Sequence, residues 1–372
     1  MSSLTDPTPA SEGVAVRPSV RELARRLDVS IATVSRALNG HPEVAPQTRD
    51  RVLELASSLN YDPQNARRER RSPEARSIAL VYPSSPVIYG FGTFEAALLG
   101  GVMQGLREQR YSVTIIDLEH ERLPGESYRA FFERRGVRGA IVRTPTNRRD
   151  FAGEIAAEGL PAILVADRTD DPNLGYIYTD SRADSARAVD HLVLHGHRRI
   201  GLIRHFVMDA DHTDRLEGYL EGLARNGIDA DESLIVESRG GTAEGGAAAL
   251  DDLLALPEPP TAVYVTNPVP TTGVLHRCLQ LGIRVPEEFS VVGFDDSDIR
   301  MGAFPPFTAV CQDARQMGVE AARWLSRLAE GHHRGLPRER RSTHLSIHQS
   351  TGPAPRRALR LAPDRTTIVR DS

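Results

Sequence analysis

Several features are scarce or missing in this chain of 372 residues, and each scarcity excludes a class of protein. Lysine is absent, so every basic side chain is an arginine. The two cysteines, Cys278 and Cys311, are too few for a disulfide framework, which favours a reducing compartment. No apolar run approaches the roughly 18 residues that a membrane-spanning helix needs. Residues 1–16 are polar and contain proline, unlike a secretory signal peptide, so we expect a cytoplasmic protein.

Sequence motifs of common enzymes are also missing. The chain has no glycine-rich dinucleotide motif after a strand, no Walker loop, no nucleophile elbow and no His-Glu-x-x-His zinc motif. His195 and His197 are close in sequence, but no carboxylate or cysteine beside them completes a metal site. We therefore predict that these histidines lie in a turn before a strand. For the protein as a whole we predict no catalytic residue, no cofactor and no metal ion.

The overall composition is that of an ordinary globular protein, with 40% hydrophobic and 26% charged residues. The length predicts two or three domains. Because the net charge is −4, any affinity for nucleic acid must come from a local basic patch. Residues 1–17 and 353–372 are rich in Ser, Pro, Thr and Arg without periodicity, and we predict that they are disordered tails. Residues 61–76 are predicted to form a linker.

Residues 18–60 show the pattern of three short helices. Ser19 begins a capping box at the start of the first helix. Ser30 can cap a second helix over residues 31–38, and a third helix is predicted over residues 47–59. Two short helices joined by a tight turn and braced by a third form a helix-turn-helix, whose second helix enters the major groove of DNA.

The charge of this amino-terminal region supports contact with DNA. Between residues 17 and 71, eleven arginines stand against seven acidic residues, although the whole chain is acidic. A local excess of this kind neutralises phosphates. The alternative is a three-helix bundle with a solvated basic face, and charge alone favours that alternative. The capping residues, the turn and the helix lengths together favour the DNA-binding interpretation.

The same region resembles the headpiece of the lac-repressor (LacI) family of transcriptional regulators. The runs SVRELA from Ser19 and VSIATVSRALN from Val29 carry the resemblance, which continues to Pro63. It implies one set of residues that reaches base edges, namely Ile31, Ala32 and Arg36. It implies a second set that holds phosphates, namely Ser19, Ser30, Thr33 and Ser35. Of these side chains, Arg36 is the one that can form two hydrogen bonds to a guanine.

The linker departs from the family pattern at one position. In the family, this segment forms a hinge helix on DNA and inserts a leucine into the minor groove. Here Arg70 matches that leucine, and Arg67 is a further expected DNA contact. A guanidinium is a poor apolar wedge, but it suits the negative potential of a narrow minor groove. We therefore expect weaker DNA kinking and steeper salt dependence than in the family; the alternative is a disordered basic linker.

From residue 77 to residue 352 the sequence alternates between short apolar runs and helical patterns. Strands that are apolar on both faces and separated by helices predict parallel sheets, either one large sheet or two smaller ones. This region also resembles the periplasmic-binding-protein-like core of the family, most clearly at residues 196–201, 215–219 and 291–296. The resemblance implies two α/β lobes with a ligand in the cleft between them. The apolar runs lie at residues 78–81, 113–116, 139–142, 162–165, 199–203, 262–265 and 290–294.

The ligand site is expected where the strands of an open α/β sheet end. Asn267 and Asp295 each follow a predicted strand. An amide and a carboxylate can bond vicinal hydroxyls, and an arginine adds planar donors. The resemblance matches Arg215 to the ligand-binding arginine of the family. Arg168 and Arg143, which follow two other runs, are second-rank candidates, and the alternative for Asp295 is a helix cap or a turn.

Asn267 is followed by Pro268 and Pro270, where the family often has an aspartate. Because that aspartate often caps the next helix, we expect the helix to start later here and the pocket to be reshaped. The resemblance implies a small carbohydrate-like effector. Because the pocket departs from the family pattern here, the resemblance does not supply the identity of that effector.

The sequence thus predicts a small all-α helix-turn-helix headpiece followed by an α/β two-lobed periplasmic-binding-protein-like core. The predicted function is that of a repressor, which binds pseudo-palindromic double-stranded operator DNA as a homodimer under the control of a small effector. Two alternatives come from other classes, a solute-binding protein without operator function and an enzyme. The headpiece and the missing signal peptide argue against the first alternative, and the missing motifs argue against the second.

Overall fold

The computed structural model describes residues 20–38, 44–58, 77–84, 92–144, 150–206, 209–332 and 335–369. The chain forms two compact units, residues 1–74 and 75–372. The predictions for Ser19, for the tail 1–17 and for the linker residues Arg67 and Arg70 lie outside the described residues. The side chains of Ala32 and Ser35 lie outside them as well.

The described part of the first unit contains three helices, α1 (Val20–Leu27), α2 (Ile31–Leu38) and α3 (Pro46–Ser58). These bounds agree with the predicted helices to within about one residue. The helices enclose a small core in which Leu23, Val34 and Val52 are fully buried. Helix α2 begins after Ser30 because the Ser30 hydroxyl accepts a hydrogen bond from the Thr33 amide at 3.0 Å. The predicted helix-turn-helix arrangement is therefore confirmed.

The second unit begins with alternating strands and helices. Its first five strands are β1 (Ser77–Tyr82), β2 (Ser112–Asp117), β3 (Val137–Val142), β4 (Ala162–Val165) and β5 (Gly175–Asp180). The helices among them are α4 (Thr93–Leu106), α5 (Leu118–Glu121), α6 (Tyr128–Arg135) and α7 (Asp150–Ala157).

The alternation continues through the rest of the unit. Further helices are α8 (Arg182–Leu194), α9 (Ala210–Arg225), α10 (Ala243–Leu254), α11 (Pro268–Gln280) and α12 (Ala314–Ala329). The next strands are β6 (Ile200–His205), β7 (Ile235–Ser238), β8 (Ala262–Val265), β9 (Ser290–Asp295) and β10 (Thr308–Cys311). The last four strands are β11 (Arg338–Ser342), β12 (His344–Ser346), β13 (Arg360–Leu361) and β14 (Ile368–Val369).

Two six-stranded sheets divide the second unit into two lobes. The first sheet has the order β11-β5-β4-β3-β1-β2 and the second the order β12-β10-β9-β8-β6-β7. All described pairs in these two sheets are parallel except β10 with β12. The two-lobed α/β core is confirmed, and the arrangement has two smaller sheets instead of one large sheet. Strand β11, with the polar sequence RERRS on an exposed edge, had no apolar run that could predict it.

The chain passes between the lobes at three described junctions, which follow β5, β10 and β11. Helix α12 therefore returns to the first lobe and packs along α4. Glycines permit this close approach, because a Cβ atom at Gly101 would overlap the backbone oxygen of Arg315, and one at Gly318 would overlap that of Leu98. The crossovers bring residues from distant parts of the sequence to one cleft.

Each sheet is buried on both faces, as the apolar runs predict. In β1, Ile78 and Leu80 join one apolar cluster while Ala79 and Val81 join the cluster on the opposite face. The second sheet is likewise covered on both sides by α8 to α11 and their side chains. Helices on both faces are the expected cover for parallel strands. Among the described helices, none is both long and apolar enough to cross a membrane.

The prediction of a disordered carboxyl-terminal tail is wrong for residues 353–369. Leu359 and Leu361 are buried in the apolar core of the second lobe, and β13 and β14 form a short antiparallel hairpin. The Arg277 guanidinium donates to the Arg365 carbonyl at 2.6 Å, and Arg365 forms an ion pair with Asp252. Two leucines spaced by one residue do not form a periodic pattern, yet they fill a gap that the lobe leaves open.

The prediction of a delayed start for the helix after Asn267 is also wrong. Helix α11 begins at Pro268, and Asn267 occupies the cap position without a side-chain capping bond. A proline in the first turn costs no helical hydrogen bond, because the first amides of a helix have no partner within it, and its fixed φ suits the helix. Pro270 is tolerated for the same reason.

Candidate DNA-binding helix and ligand cavity

Helix α2 presents one face to its own core and another to solvent. Val34 and Ala37 are buried, whereas 48% of the Ile31 surface is exposed and Arg36 lies exposed in the last turn. This division follows from the helical spacing, since residues 34 and 37 fall on one side of the helix. Ile31 and Arg36, both predicted to reach base edges, are therefore accessible within the first unit.

Ser30 and Thr33, predicted to hold phosphates, bond to each other at the start of α2. The Ser30 Oγ atom accepts from the Thr33 amide and lies 2.8 Å from the Thr33 Oγ1 atom. This capping arrangement orders the first turn of the helix. Helix amino termini of this kind favour anions such as phosphate.

A cavity of about 370 Å³ lies in the cleft of the second unit, at the carboxyl ends of strands from both sheets. Its position agrees with the expectation for open α/β sheets. The first lobe contributes polar and aromatic side chains, namely Tyr82, Phe94, Glu95 and Arg143. The second lobe and its crossover contribute His205, Asp209, Asp211, His212, Arg215, Asn267, Asp296 and Gln312. The exposed residues Thr242 and Glu244 and the half-buried Ala243 border the cavity.

Arg143, a predicted ligand contact, lines the cavity from the first lobe, but its charge is already paired. Its Nε and Nη2 atoms lie 3.1 Å from Glu95 Oε1, and its Nη1 atom donates to the Val165 carbonyl. The Tyr82 hydroxyl donates to Glu95 Oε2 at 2.5 Å. Burial, assisted by the Glu95 charge, raises the pKa of Tyr82. The three side chains form a fixed polar wall with the Phe94 ring 4.6 Å from the Arg143 guanidinium carbon.

Arg215 lines the opposite wall, as predicted. It is 3% exposed, donates from Nη1 to the Thr266 carbonyl at 2.7 Å, and stacks on the Phe294 ring with its Cζ atom 3.6 Å from the centroid. Its Nη2 atom lies 3.6 Å from Asp211 Oδ2, and its buried Nε atom has no hydrogen-bond partner among the described residues. Arg215 is therefore held in place, and its Nε–H group remains without an acceptor among the described residues.

Asp211, which the sequence interpretation missed, lies one turn before Arg215 on α9. It is 2% exposed, and neither of its carboxylate oxygens has a hydrogen-bond partner in the described part of the chain. Burial raises its pKa well above the usual value, and the neighbouring guanidinium of Arg215 opposes that effect only in part. The i, i+4 spacing to Arg215 was the available signal, since it puts both side chains on one helix face.

Asn267, the third predicted contact that lines the cavity, belongs to a hydrogen-bonded chain. Asp209 Oδ1 accepts from His212 Nδ1 at 2.7 Å, so the Nε2 atom of His212 is left as an acceptor. The Asn267 Nδ2 group donates to that atom at 3.2 Å. Burial lowers the pKa of His212, which keeps the ring neutral, and His205 stacks on it with 4.7 Å between centroids.

Asp295 is not in the cavity wall, and the predicted ligand contact at this position is wrong. Its carboxylate accepts from the amides of Ser297 and Ile299 at 3.2 Å and from the Arg300 guanidinium at 2.7 Å. A left-handed backbone conformation at Asp298, with φ of 63°, folds the following turn back over it. Asp295 therefore caps a turn, the alternative noted for a strand-end aspartate.

The next residue, Asp296, lines the cavity instead. It is 6% exposed and accepts a hydrogen bond from Gln312 Nε2 at 2.5 Å. Burial raises the pKa of Asp296 to about 6. Gln312 comes from the crossover after β10, and its Oε1 atom has no hydrogen-bond partner among the described residues. Nothing in the local sequence singled out Gln312, because only the crossover brings it to the cleft.

Arg168 is the other predicted contact that the structure does not bring to the cavity. Its side chain is 44% exposed and donates to the Tyr178 hydroxyl at 2.9 Å and to Asp214 at 3.3 Å. These partners hold the guanidinium away from the described cavity wall. Arg168 follows the end of β4 as expected, but its backbone lies where the chain already turns toward β5.

Comparison with known proteins gives matches along most of the chain. Residues 19–64 match the family described as "Bacterial regulatory proteins, lacI family", and residues 189–351 match the "Periplasmic binding protein-like domain". The HTH-type transcriptional repressor CytR of Escherichia coli (strain K12) is 30% identical over 341 residues, which cover 91% of this chain and 97% of CytR.

Solved structures give the same result. The transcriptional regulator CelR–cellobiose complex has a TM-score of 0.64 at 29% identity, covering 90% of this chain and 100% of that chain. The lac repressor dimer bound to operator and the anti-inducer ONPF has a TM-score of 0.60 at 23% identity, covering 90% and 99%, which shows the shared fold. With its two units matched in order and its relatives aligned over nearly their full length, the chain belongs to the LacI family of DNA-binding transcriptional regulators.

Proposed function

We infer that this regulator is a cytoplasmic repressor, which binds a pseudo-palindromic operator as a homodimer and changes its operator affinity when a small polar ligand fills the cavity. The observation that supports this most strongly is a ligand-sized cavity with unpartnered buried polar atoms, in a chain that also has a helix-turn-helix. The lac repressor structure is that of a dimer on its operator, and CelR is a cellobiose complex.

The DNA-reading part of the proposal rests on α2. Arg36 and Ile31 are exposed on this helix and have the chemistry to read a guanine and a thymine methyl group, respectively. In this proposal Ser19, Ser30, Thr33 and Ser35 contact phosphates, and Ala32 lies at the base edges. Arg67 and Arg70 of the linker would lie in or beside the minor groove.

The effector-binding part rests on the residues that line the cavity. Of the residues predicted from the sequence, Arg215, Asn267 and Arg143 remain candidates for ligand contact. Asp211 and Asp296 join them, because both are buried acidic groups on the cavity wall. Since ligand and operator bind different parts of one molecule, each must change the affinity for the other by the same factor.

Neither alternative function has an observation in its favour. A solute-binding protein would have no use for the first unit, whose helix-turn-helix matches the DNA-binding domain of the family. An enzyme would need a reacting group beside its substrate. The relatives, in contrast, are transcriptional regulators.

The operator-reading role is tested with Arg36→Ala in the full chain. We expect loss of about 1–3 kcal/mol of specific binding and a relaxed sequence preference, because one bidentate base contact is removed. Fluorescence anisotropy with DNA from upstream of the gene and with random competitor DNA measures both quantities. Arg51→Ala, a change at an exposed position on α3, is the matched control and should leave the preference intact.

Two results would contradict this proposal. If Arg36→Ala lowered affinity equally for every duplex, Arg36 would be a phosphate contact and would not read bases. If the wild-type chain preferred no upstream sequence to random DNA at low salt, operator binding itself would be refuted.

A further inference from the structure

The charges in the cavity are unbalanced. Four buried acidic residues line its described wall, Glu95, Asp209, Asp211 and Asp296, together with two arginines, Arg143 and Arg215. The wall therefore has more acidic groups than guanidinium groups. Buried charges without a counter-charge are costly, so such an excess needs an explanation.

Three of the four acidic groups have a partner of their own. Glu95 is paired with Arg143, Asp209 accepts two hydrogen bonds from His212, and Asp296 accepts one from Gln312. These partners come from fixed elements of both lobes. Each of the three groups can thus be explained by the protein alone.

Asp211 differs from these three, because it forms an ion pair with Arg215 but accepts no hydrogen bond among the described residues. Both of its oxygens are buried without a hydrogen-bond partner in the described chain, and the nearest Arg215 nitrogen is 3.6 Å away. Arg215 directs its other terminal nitrogen to the Thr266 carbonyl at 2.7 Å and its face to Phe294 at 3.6 Å. The guanidinium is therefore held mainly by other groups, and the carboxylate of Asp211, a residue that lines the cavity, is an acceptor without a hydrogen-bond donor.

We propose that the effector is an amino sugar of one or two rings, whose ammonium group binds the Asp211 carboxylate. This inference rests on the proposed function of the cavity as the effector site. An ammonium group supplies several N–H donors to one carboxylate, and its positive charge offsets the acidic excess of the cavity wall. The hydroxyls of the ring would bond Asn267, Arg215 and Asp296, which have the amide, guanidinium and carboxylate groups suited to them.

The same charge distribution excludes acidic ligands. A uronic acid or a sugar phosphate would add a negative charge beside the acidic side chains of the wall. Neutral sugars have no positive charge to offset the acidic excess, and an N-acetylated amino sugar has a nitrogen without charge. The volume of about 370 Å³ is large enough for a small ligand but not for a long oligosaccharide.

Isothermal titration calorimetry on the full chain without DNA tests the proposal. The probes are glucose, galactose and mannose, each as neutral sugar, 2-amino sugar, N-acetylated amino sugar and uronic acid, together with the disaccharides of glucosamine and of glucose. We expect an amino sugar to bind at least about tenfold more tightly than its neutral and N-acetylated counterparts at ~pH 7, and the uronic acids not to bind.

Asp211→Asn should reduce the preference for the amine to about twofold or less, because the amide has the same shape without the charge. Asp214→Asn is the matched control. Asp214 lies on the same helix and is 2% exposed, but it pairs with Arg168 outside the cavity wall, so the preference should be unchanged. Circular dichroism of both variants establishes that they are folded.

The proposal is overturned if no amino sugar binds, if a neutral or acidic probe binds more tightly than its amine, or if Asp211→Asn keeps the preference for the amine. Operator binding is measured separately on ligand-free protein. If amino sugars bind but no operator is recognised, the inference about the ligand stands and the proposed repressor function fails.

Discussion

At the scale of single residues, the cavity wall contains carboxyl groups whose ionised form is destabilised by burial. Asp211 and Asp296 are buried, and burial raises the pKa of both carboxyl groups. Binding sites often retain buried charged groups that destabilise the ligand-free protein, because a ligand that compensates their charge binds more tightly and more specifically. The stability of the ligand-free protein should therefore depend on the protonation of these two side chains.

We expect Asp211→Asn to stabilise the ligand-free protein at ~pH 8 and to change little at ~pH 4. A carboxyl group with a raised folded-state pKa gives full stability below its unfolded pKa and loses it as the pH rises through the folded pKa. The charged groups that face Asp211 are Arg215, Asp209, Arg143 and Asp167, and they do not cancel the effect of burial. Thermal unfolding between these two pH values measures the difference.

Asp231→Asn is the control of opposite sign for this pH series. Hydrogen bonds from Ser233 lower the pKa of Asp231, so its contribution to stability is present at neutral pH and is lost as the pH falls through the lowered pKa. The asparagine variant should therefore be less stable than wild type at ~pH 8. If Asp211→Asn left the melting temperature at that pH unchanged or lowered it, neighbouring groups would compensate the Asp211 carboxylate of the wild-type protein.

At the scale of secondary-structure elements, short local signals fixed the helix starts, and remote contacts fixed the hairpin of β13 and β14. Ser30 begins α2 by capping it, and Pro268 begins α11 by fitting its first turn. The hairpin of β13 and β14, in contrast, is held by residues far away in the sequence, such as Asp252 and Arg277. Substitution of a capping residue should therefore affect its own helix, whereas substitution of a buried hairpin residue should affect the second unit as a whole.

Ser30→Ala should destabilise α2 by about 0.5–2 kcal/mol, because the Thr33 amide loses its capping oxygen. Ser30→Asp should restore the cap but weaken operator binding, since a carboxylate repels phosphate. Amide hydrogen exchange of α2 measures the first effect and anisotropy the second. If Ser30→Asp bound the operator as tightly as wild type, Ser30 would be a cap without a phosphate contact.

Leu361→Ala should destabilise the second unit by about 2–5 kcal/mol, because a leucine that is 3% exposed leaves a cavity when truncated. Chemical denaturation of the full chain measures the loss. Leu194→Ala, at a position that is 85% exposed in the same lobe, is the control and should have little effect on stability. If Leu361→Ala left the stability unchanged, that result would support the prediction of a disordered tail.

At the scale of the whole molecule, the ligand site depends on the crossovers between the lobes. Gln312 precedes α12, which packs along α4, and α4 starts beside the cavity residues Phe94 and Glu95. The contact of α4 with α12 therefore supports one wall of the cavity from behind. A change in that contact should affect both stability and ligand binding.

Gly101→Ala should cost about 1–3 kcal/mol of stability, because the added Cβ atom would overlap the Arg315 backbone and push α12 away from α4. Gly100→Ala is the matched control, since the next position on the helix has open space around it. The control should be neutral or slightly stabilising. If both variants had the same melting temperature, the helices would be less tightly packed than described.

Many of the elements follow from local sequence signals, although the polar strand β11 and the hairpin of β13 and β14 do not. Helical capping at Ser30, the apolar runs of β1, β3, β4, β8 and β9, and the family motif of α2 are local properties that do not need the rest of the chain to be recognised. Arg215 and Asn267 both line the cavity. Asn267 was predicted from its place after an apolar run and Arg215 from the resemblance to the family, and their contact with a ligand stays a prediction.

Only the tertiary structure decided which strand-end side chains meet. Asp295 and Asp296 are adjacent in sequence, but the turn after β9 uses one as a cap and leaves the other in the cavity. Gln312 reaches the site through a crossover, and Leu361 finds its pocket only after the second lobe has formed. These outcomes depend on contacts between residues that are distant in sequence, and periodicity, propensity and spacing describe only residues that are near.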